Sequence, residues 1–252
     1  MELNQIYLGD AYELIKEIPD KSIDLIMTDP PYEFSTGEVK TGILKERKGV
    51  QAYEEIRSHN LDRGINLSIL NEYVRVLKKI NIYLWCNKEQ LLDYMNFFIK
   101  EHKCNFEIII WAKNNPAPFL NGHYLKDKEY CLYFWEKGVK VKPTFETGKT
   151  VYVTKTNTYD KSKYIHPTIK PLEIIKNLIK NSCDLEKKEG EKPIVLDTFI
   201  GSGTTAVACK ELGVNFIGFE INETFHQIAI DRVNGITKDD RDKINSGQMT
   251  LF

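Results

Sequence analysis

Nowhere in its 252 residues does this chain carry an apolar run fit to span a bilayer, and its N-terminus shows no signal-peptide pattern. Cysteine is sparse. Cys86, Cys104, Cys131, Cys183 and Cys209 stand singly, mostly within apolar stretches, with neither disulfide nor zinc-ligand spacing. Neither sign of charge is in surplus: 35 basic against 36 acidic residues leave a formal net charge of -1. Internal repeats and low-complexity tracts are missing too. These absences argue against a membrane span, a disulfide-stapled scaffold, a zinc module and a solenoid. The expectation is a reduced, cytoplasmic, metal-free protein. What is present, 42% hydrophobic and 28% charged residues, suits one compact α/β domain.

Strand and helix patterns alternate along the chain, which predicts a mostly parallel sheet with helices on both faces. Short apolar runs place strands at 6–8, 22–28, 81–86, 106–112, 129–135, 194–197 and 215–219, a seven-stranded sheet. Helical periodicity falls over 11–18, 61–78, 88–100, 171–183, 204–212 and 223–233. A polar, Gly-containing stretch over 33–49 reads as a mobile loop. Residues 1–235 form the expected domain, and 236–252 a flexible C-terminal tail. Charge is uneven within the domain. Between Lys137 and Lys163, seven lysines stand against Glu146 and Asp160, a local net of +5 in an insert spanning 137–165.

Two motifs carry chemistry. Asp29-Pro30-Pro31-Tyr32 follows the second strand. Consecutive prolines fix the backbone and remove two amide donors, so Asp29 and the Pro30 carbonyl stand as neighbouring acceptors beside the Tyr32 ring. That set suits a planar ring bearing an exocyclic amine; Phe34 is a second stacking candidate. A plain turn facing water is the competing role. The second motif, Asp197-Thr198-Phe199-Ile200-Gly201-Ser202-Gly203-Thr204, joins a strand to a helix through a Gly-rich turn. Glycines permit close approach to the backbone, and the helix start offers free amides. Glu220, ending the next strand, can accept from ribose hydroxyls. Ala206 replaces the third glycine of a dinucleotide fingerprint, and the lysine of a P-loop is missing. The turn suits an adenosine cofactor, or else uses glycine for packing alone.

Together these motifs resemble the DNA amino-methyltransferases that act on adenine N6 or cytosine N4. The Asp-Pro-Pro-Tyr box resembles their active-site signature, and the Gly-rich turn resembles their S-adenosylmethionine site. His166-Pro167-Thr168-Ile169-Lys170-Pro171 is similar to the family's segment that grips the methionine carboxylate, which implies roles for Thr168 and Lys170. Gly9-Asp10-Ala11 matches the segment whose Asp contacts the cofactor's adenine amine, though Asp10 also suits a helix cap. The box precedes the cofactor turn, as in the circularly permuted β class, and the resemblance runs to about Val233.

The resemblance implies a Rossmann-like methyltransferase fold and a base flipped from duplex DNA into the site. Asp29, Pro30, Pro31 and Tyr32 would be catalytic. Asp10, Ala11, Asp29, Thr168, Lys170, Asp197, Phe199, Gly201, Ser202, Gly203, Thr204, Glu220 and Asn222 would bind cofactor. Asp at the first box position favours adenine over cytosine N4, the alternative; a non-catalytic DNA-binding module is a further one. The Pro-Cys dipeptide of cytosine C5 chemistry is missing, and no metal is implied. Lys140, Lys142, Lys149, Lys155, Lys161 and Lys163, interleaved with Tyr152, Tyr159 and Tyr164, are candidate DNA contacts, or a hairpin kept soluble by its lysines. His123 and Tyr124 are further candidates. The final Gln248-Met249-Thr250-Leu251-Phe252 resembles a sliding-clamp docking motif through Gln248, Leu251 and Phe252; folding back on the protein is the other reading. Dimerisation is common in the permuted class, and the host would be prokaryotic, a phage or a mobile element.

Overall fold

A computed structural model describes residues 1–32, 64–116, 124–156, 162–164 and 169–249. Its strands are β1 (Gln5–Leu8), β2 (Leu25–Thr28), β3 (Asn81–Cys86), β4 (Asn105–Lys113), β5 (Lys128–Trp135), β6 (Val151–Thr154), β7 (Ile194–Asp197) and β8 (Asn215–Glu220). Its named α-helices are α1 (Ala11–Leu14), α2 (Ile69–Val76), α3 (Leu91–Met95), α4 (Leu172–Ser182), α5 (Thr204–Leu212), α6 (Glu223–Val233) and α7 (Lys238–Asn245). One sheet orders the strands β1-β8-β7-β2-β3-β5-β4-β6. Strands β1, β8, β7, β2 and β3 pair in parallel. Strand β5 runs against both β3 and β4, and β6 lies parallel to β4.

Alternation along the central strands sends side chains to two cores. Ile26, Ile82, Leu84 and Leu196 pack on one face with Ile69, Tyr73 and Val76 of α2. Leu25, Met27, Tyr83, Trp85 and Val195 pack on the other with Ile174, Ile175, Leu178 and Ile179 of α4. Strands covered on both sides read as continuous apolar runs, and all six residues of β3 are buried. The helical spacing of the α4 set puts it on one stripe facing the sheet.

The described sheet has eight strands rather than the expected seven. The additional strand is β6, inside the lysine-rich insert, where four residues between polar flanks leave too short a pattern to read. Pairing supplies what the pattern lacks: Ile110 N donates to Thr150 O at 2.7 Å, and Trp111 Nε1 to Thr154 Oγ1 at 2.7 Å. Helix α2 is shorter than the expected 61–78; residues 61–63 lie outside the described ones. Asn66 Oδ1 holds Ser68 N at 3.0 Å in a turn before α2, and Leu77 leaves it with an extended ψ of 130°. The helix expected over 88–100 splits into α3 and a π-helical turn, Asn96–Glu101. That turn seats Phe98 on Phe134, ring centroids 4.7 Å apart.

The stretch 236–252, expected as a flexible tail, is helical over α7. Thr237 and Asp240 form a reciprocal capping box at its start. Arg241 pairs with Asp231, tying α7 back to α6. No residue of α7 is buried, so the helix carries no apolar stripe by which a sequence would betray it. Among the described residues, no helix is long and apolar enough to cross a membrane.

Candidate functional site

Because β1, β8, β7 and β2 run in one direction, their carboxyl ends gather at one edge, where open α/β sheets hold ligands. A cleft of about 320 Å³ opens there. Asp10 and Ala11 line it after β1, Asp29 and Pro31 after β2, Asp197 to Ser202 after β7, and Glu220 and Ile221 after β8. Thr204 of α5 and Lys170 complete the part foreseen from sequence; Tyr12, Trp85, Thr205 and Phe225 were not foreseen. The two motifs, some 170 residues apart in sequence, therefore share one cavity, as the hydroxyls of Thr28 and Thr198 at 3.3 Å also show.

Backbone order in the Gly-rich turn comes from buried polar groups. Glu220 Oε2 accepts from Gly201 N at 2.9 Å and Oε1 from Asn222 N at 2.8 Å. The Ile221 amide also bonds this carboxylate, whose two oxygens have further lone-pair capacity for a ligand hydroxyl. Burial raises the Glu220 carboxyl, and these amide donors oppose the rise. Asp197 Oδ1 accepts from Phe199 N at 3.2 Å. Its burial outweighs bonds from Thr205, Thr28 and Phe199, and its carboxyl is pushed up to about 7. Arg232 of α6, unforeseen, donates to Ser202 O and Oγ at 3.2 Å and to Thr204 Oγ1 at 2.7 Å. Its spacing from Phe225 and Ala229 marks the buried helix face, a signal the sequence does hold.

Three foreseen cofactor residues have other engagements. Gly203 does not line the cleft: φ is 77°, and a Cβ there would sit 3.1 Å from Ala229 Cα and Cβ. It serves the packing of α5 on α6. Asn222 caps α6, accepting from Phe225 N at 3.0 Å, and also stands outside the lining. Asp10 caps α1, accepting from Tyr12 N at 2.9 Å, and faces the cleft as well.

Around the Asp-Pro-Pro-Tyr box lies a buried charge cluster. Lys170 Nζ donates to Asp29 Oδ2, and reaches Glu129 Oε2 at 3.0 Å and the Tyr32 hydroxyl at 3.2 Å. Tyr32 Oη donates to Glu129 Oε2 at 3.1 Å, and Lys113 pairs with Glu129 Oε1. Asp29 Oδ1 is buried with no hydrogen-bond partner. An acceptor so placed costs about 1–3 kcal/mol until a donor arrives. Burial raises the Asp29 carboxyl, against the pull of Lys170. Glu129 feels burial too, but Lys170 and Lys113 overcome it and bring its carboxyl down to about 2. Gln90 Nε2 donates to Pro31 O at 3.1 Å and so pins the second proline. Lys170, expected on a cofactor carboxylate, thus spends its charge on two protein carboxylates. Glu129 and Lys113 were unforeseen, yet each falls on the buried face of its strand by period two, with Cys131 and Tyr133 or Ile109 and Trp111.

Among the candidate DNA lysines, Lys140, Lys142, Lys149 and Lys155 are exposed; Lys163 is half-buried, its Nζ 5.2 Å from the Tyr164 ring centroid. Lys149 lies 3.8 Å from Glu146. Tyr152 turns inward, donating to Thr147 O at 3.2 Å. Tyr124 is 97% exposed. Phe34, His123, Tyr159, Lys161, His166, Thr168, Leu251 and Phe252 lie outside the described residues.

Comparison with known proteins gives this geometry a context. The N6/N4 methyltransferase family model, described as DNA methylase, matches residues 23–231. The Type II methyltransferase M2.LlaDCHI of Lactococcus lactis subsp. cremoris is 30% identical over 249 residues, covering 90% of this chain and 87% of that protein. The Type II methyltransferase M.HinfI of Haemophilus influenzae is 28% identical, covering 95% of this chain and 71% of that one. Among solved structures, the M1.HpyAVI–SAM complex superimposes with a TM-score of 0.64 at 27% identity, over 91% of this chain and 99% of that one. The cytosine-N4-specific PvuII DNA methyltransferase gives a TM-score of 0.64 at 17% identity, over 98% and 94%, and speaks to the fold alone. With its box, its cofactor turn and a family match running from β2 into α6, the chain belongs to the N6/N4 DNA methylase family.

Proposed function

We propose that this DNA methyltransferase moves a methyl group from S-adenosylmethionine to the exocyclic N6 amine of an adenine flipped out of duplex DNA. The observation that carries the reading is the shared cleft: Asp29, with an unpartnered acceptor, opens on the same cavity as the Gly-rich turn and Glu220. That cavity fits an adenosyl sulfonium. Glu220 and Asp10 offer acceptors to hydroxyl and amine groups, and Phe199 and Ile221 offer apolar surface. When bound, S-adenosylmethionine supplies an electrophilic methyl on positive sulfur.

The protein's part is to orient and stabilise. Asp29 takes one amine hydrogen on Oδ1, turning the nitrogen lone pair out of conjugation with the ring. So oriented, the amine nitrogen would be the nucleophile toward the methyl group that the bound cofactor would supply, the departing electron pair remaining with the cofactor. Asp29 steadies the charge developing on nitrogen until the surplus proton leaves to water. Tyr32 supplies the stacking ring. Asp rather than another residue at the head of the box supports adenine, and the order of the motifs supports assignment to the permuted β class. Lys140, Lys142, Lys149, Lys155, Lys161 and Lys163 form the proposed phosphate surface. The clamp-docking reading of Gln248, Leu251 and Phe252, and a homodimer, rest on sequence resemblance.

Nucleoside analysis tests the reading. Incubation with S-adenosylmethionine and unmethylated duplex DNA of mixed sequence, then digestion and mass spectrometry, is expected to give N6-methyladenine. N4-methylcytosine would keep the site and change the base.

A further inference from the structure

The activity explains why Asp29 stands at the cleft, with Tyr32 near it through Lys170. It leaves unexplained why two lysines and a second carboxylate stand against them with so little exposure. Lys170 is only 8% exposed and Glu129 and Lys113 each 18%, a costly setting for three charges. Their bonds form one connected network. Lys170 bridges Asp29 Oδ2, the Tyr32 hydroxyl and Glu129 Oε2, and its ammonium stands 5.1 Å from the Trp85 ring centroid. Glu129 holds Lys170 and the Tyr32 hydroxyl on one oxygen and Lys113 on the other. Two negative and two positive charges balance within the cluster. Lys170 occupies Oδ2 of Asp29 and leaves Oδ1 as the remaining acceptor.

We propose that Lys170 and Glu129 are positioning residues for methyl transfer: Lys170 is the fixed counter-ion that keeps Asp29 ionised and aimed, and Glu129 fixes Lys170 and the Tyr32 ring. The proposal rests on the methyl-transfer reading and deepens it. Sequence resemblance would instead assign Lys170 to the cofactor's carboxylate. In the structure its ammonium is already held by two protein carboxylates.

The electrostatic consequence is specific. Groups facing Asp29 from the surrounding elements are Lys170, Glu129 and Cys131 of β5, Cys86 of β3, Asp197 of β7, Tyr94 of α3, and Tyr32. Burial pushes the thiols of Cys86 and Cys131 and the phenols of Tyr94 and Tyr32 up, so all four are neutral near pH 7. Lys170 is therefore the one cation in that set. Without it, desolvation and the charge of Glu129 both favour protonated Asp29. Without Glu129, a like charge is lost and Asp29 stays ionised, while Lys170 and Tyr32 lose their anchor. The two substitutions should thus differ in kind.

The test is single-turnover transfer to unmethylated mixed-sequence duplex DNA at saturating S-adenosylmethionine, from about pH 5.5 to about pH 9, with cofactor affinity measured separately. In Lys170→Met the acid limb of the rate should move up by about one pH unit or more. In Glu129→Gln the rate should fall about tenfold or more with no upward movement of that limb, and cofactor affinity should stay within about threefold. Asp197 is common to all three proteins, so a displacement between profiles belongs to the substituted residue. A Lys170→Met enzyme with the wild-type profile and a cofactor affinity weakened about tenfold would overturn the proposal and return Lys170 to the cofactor. If Lys170→Met does not fold, Glu129→Gln decides: a rate within about twofold of wild type would overturn the positioning role. A wild-type enzyme that methylates no duplex DNA would instead refute the activity reading, a distinguishable result.

Discussion

At the scale of single residues, the site sets three carboxylates in three environments. Glu129, between two lysines, is drawn down to about 2. Asp29 is raised by burial against one lysine, and Asp197, with neutral donors alone, is pushed up to about 7. For Asp197 the direction fixes a stability trend. In the unfolded chain it ionises near the ordinary aspartate value of 3.8, so between there and about 7 the folded state binds the extra proton. Its contribution to stability is complete at acid pH and lost as pH rises through 7. Urea unfolding at pH 5 and pH 8 should show wild type losing at most roughly 3 kcal/mol from this group. Asp197→Asn should flatten that difference; an undiminished fall in the variant would contradict the assignment. Asp29, Asp197 and Glu220 were legible because they sit in spaced motifs. The partnership of Lys170 with Asp29 was not, because 141 residues separate them and only the folded chain joins them.

At the scale of elements, the cofactor turn is held by helix packing as much as by glycine freedom. Gly203 and Gly235 both have left-handed backbones, with φ of 77° and 75°. A side chain at Gly203 would press on Ala229 at 3.1 Å, whereas at Gly235 nothing lies within 4 Å. Gly235→Ala should therefore cost about 1–2 kcal/mol from backbone strain alone. Gly203→Ala should cost about 1–3 kcal/mol more from overpacking of α5 on α6, and weaken cofactor binding by displacing Ser202. Denaturant midpoints for the two variants check this, and equal losses would contradict the packing role. The central strands and helices α4, α5 and α6 were readable because buried elements write their period into apolar residues. Strand β6 and helix α7 were not. The first is four residues long on a sheet edge, and the second is stabilised by its cap and Arg241 rather than by an apolar stripe.

At the scale of the whole molecule, near-zero net charge coexists with a lysine-rich flank along the sheet edge opposite β1. Exposed Lys140, Lys142 and Lys155 have no structural duty among the described residues that would resist substitution. Changing all three to Ala should lower the slope of log affinity for duplex DNA against log salt by about 2–3, with thermal stability unchanged. An unaltered slope would place the phosphate contacts elsewhere. The central claim is that Asp29 performs transfer in a cleft whose cofactor side is built by other residues. It is tested most directly by Asp29→Ala, with cofactor binding and methylated-nucleoside yield measured on the same preparation. The account predicts binding within about threefold of wild type and no N6-methyladenine above background. Turnover retained in that variant would contradict it.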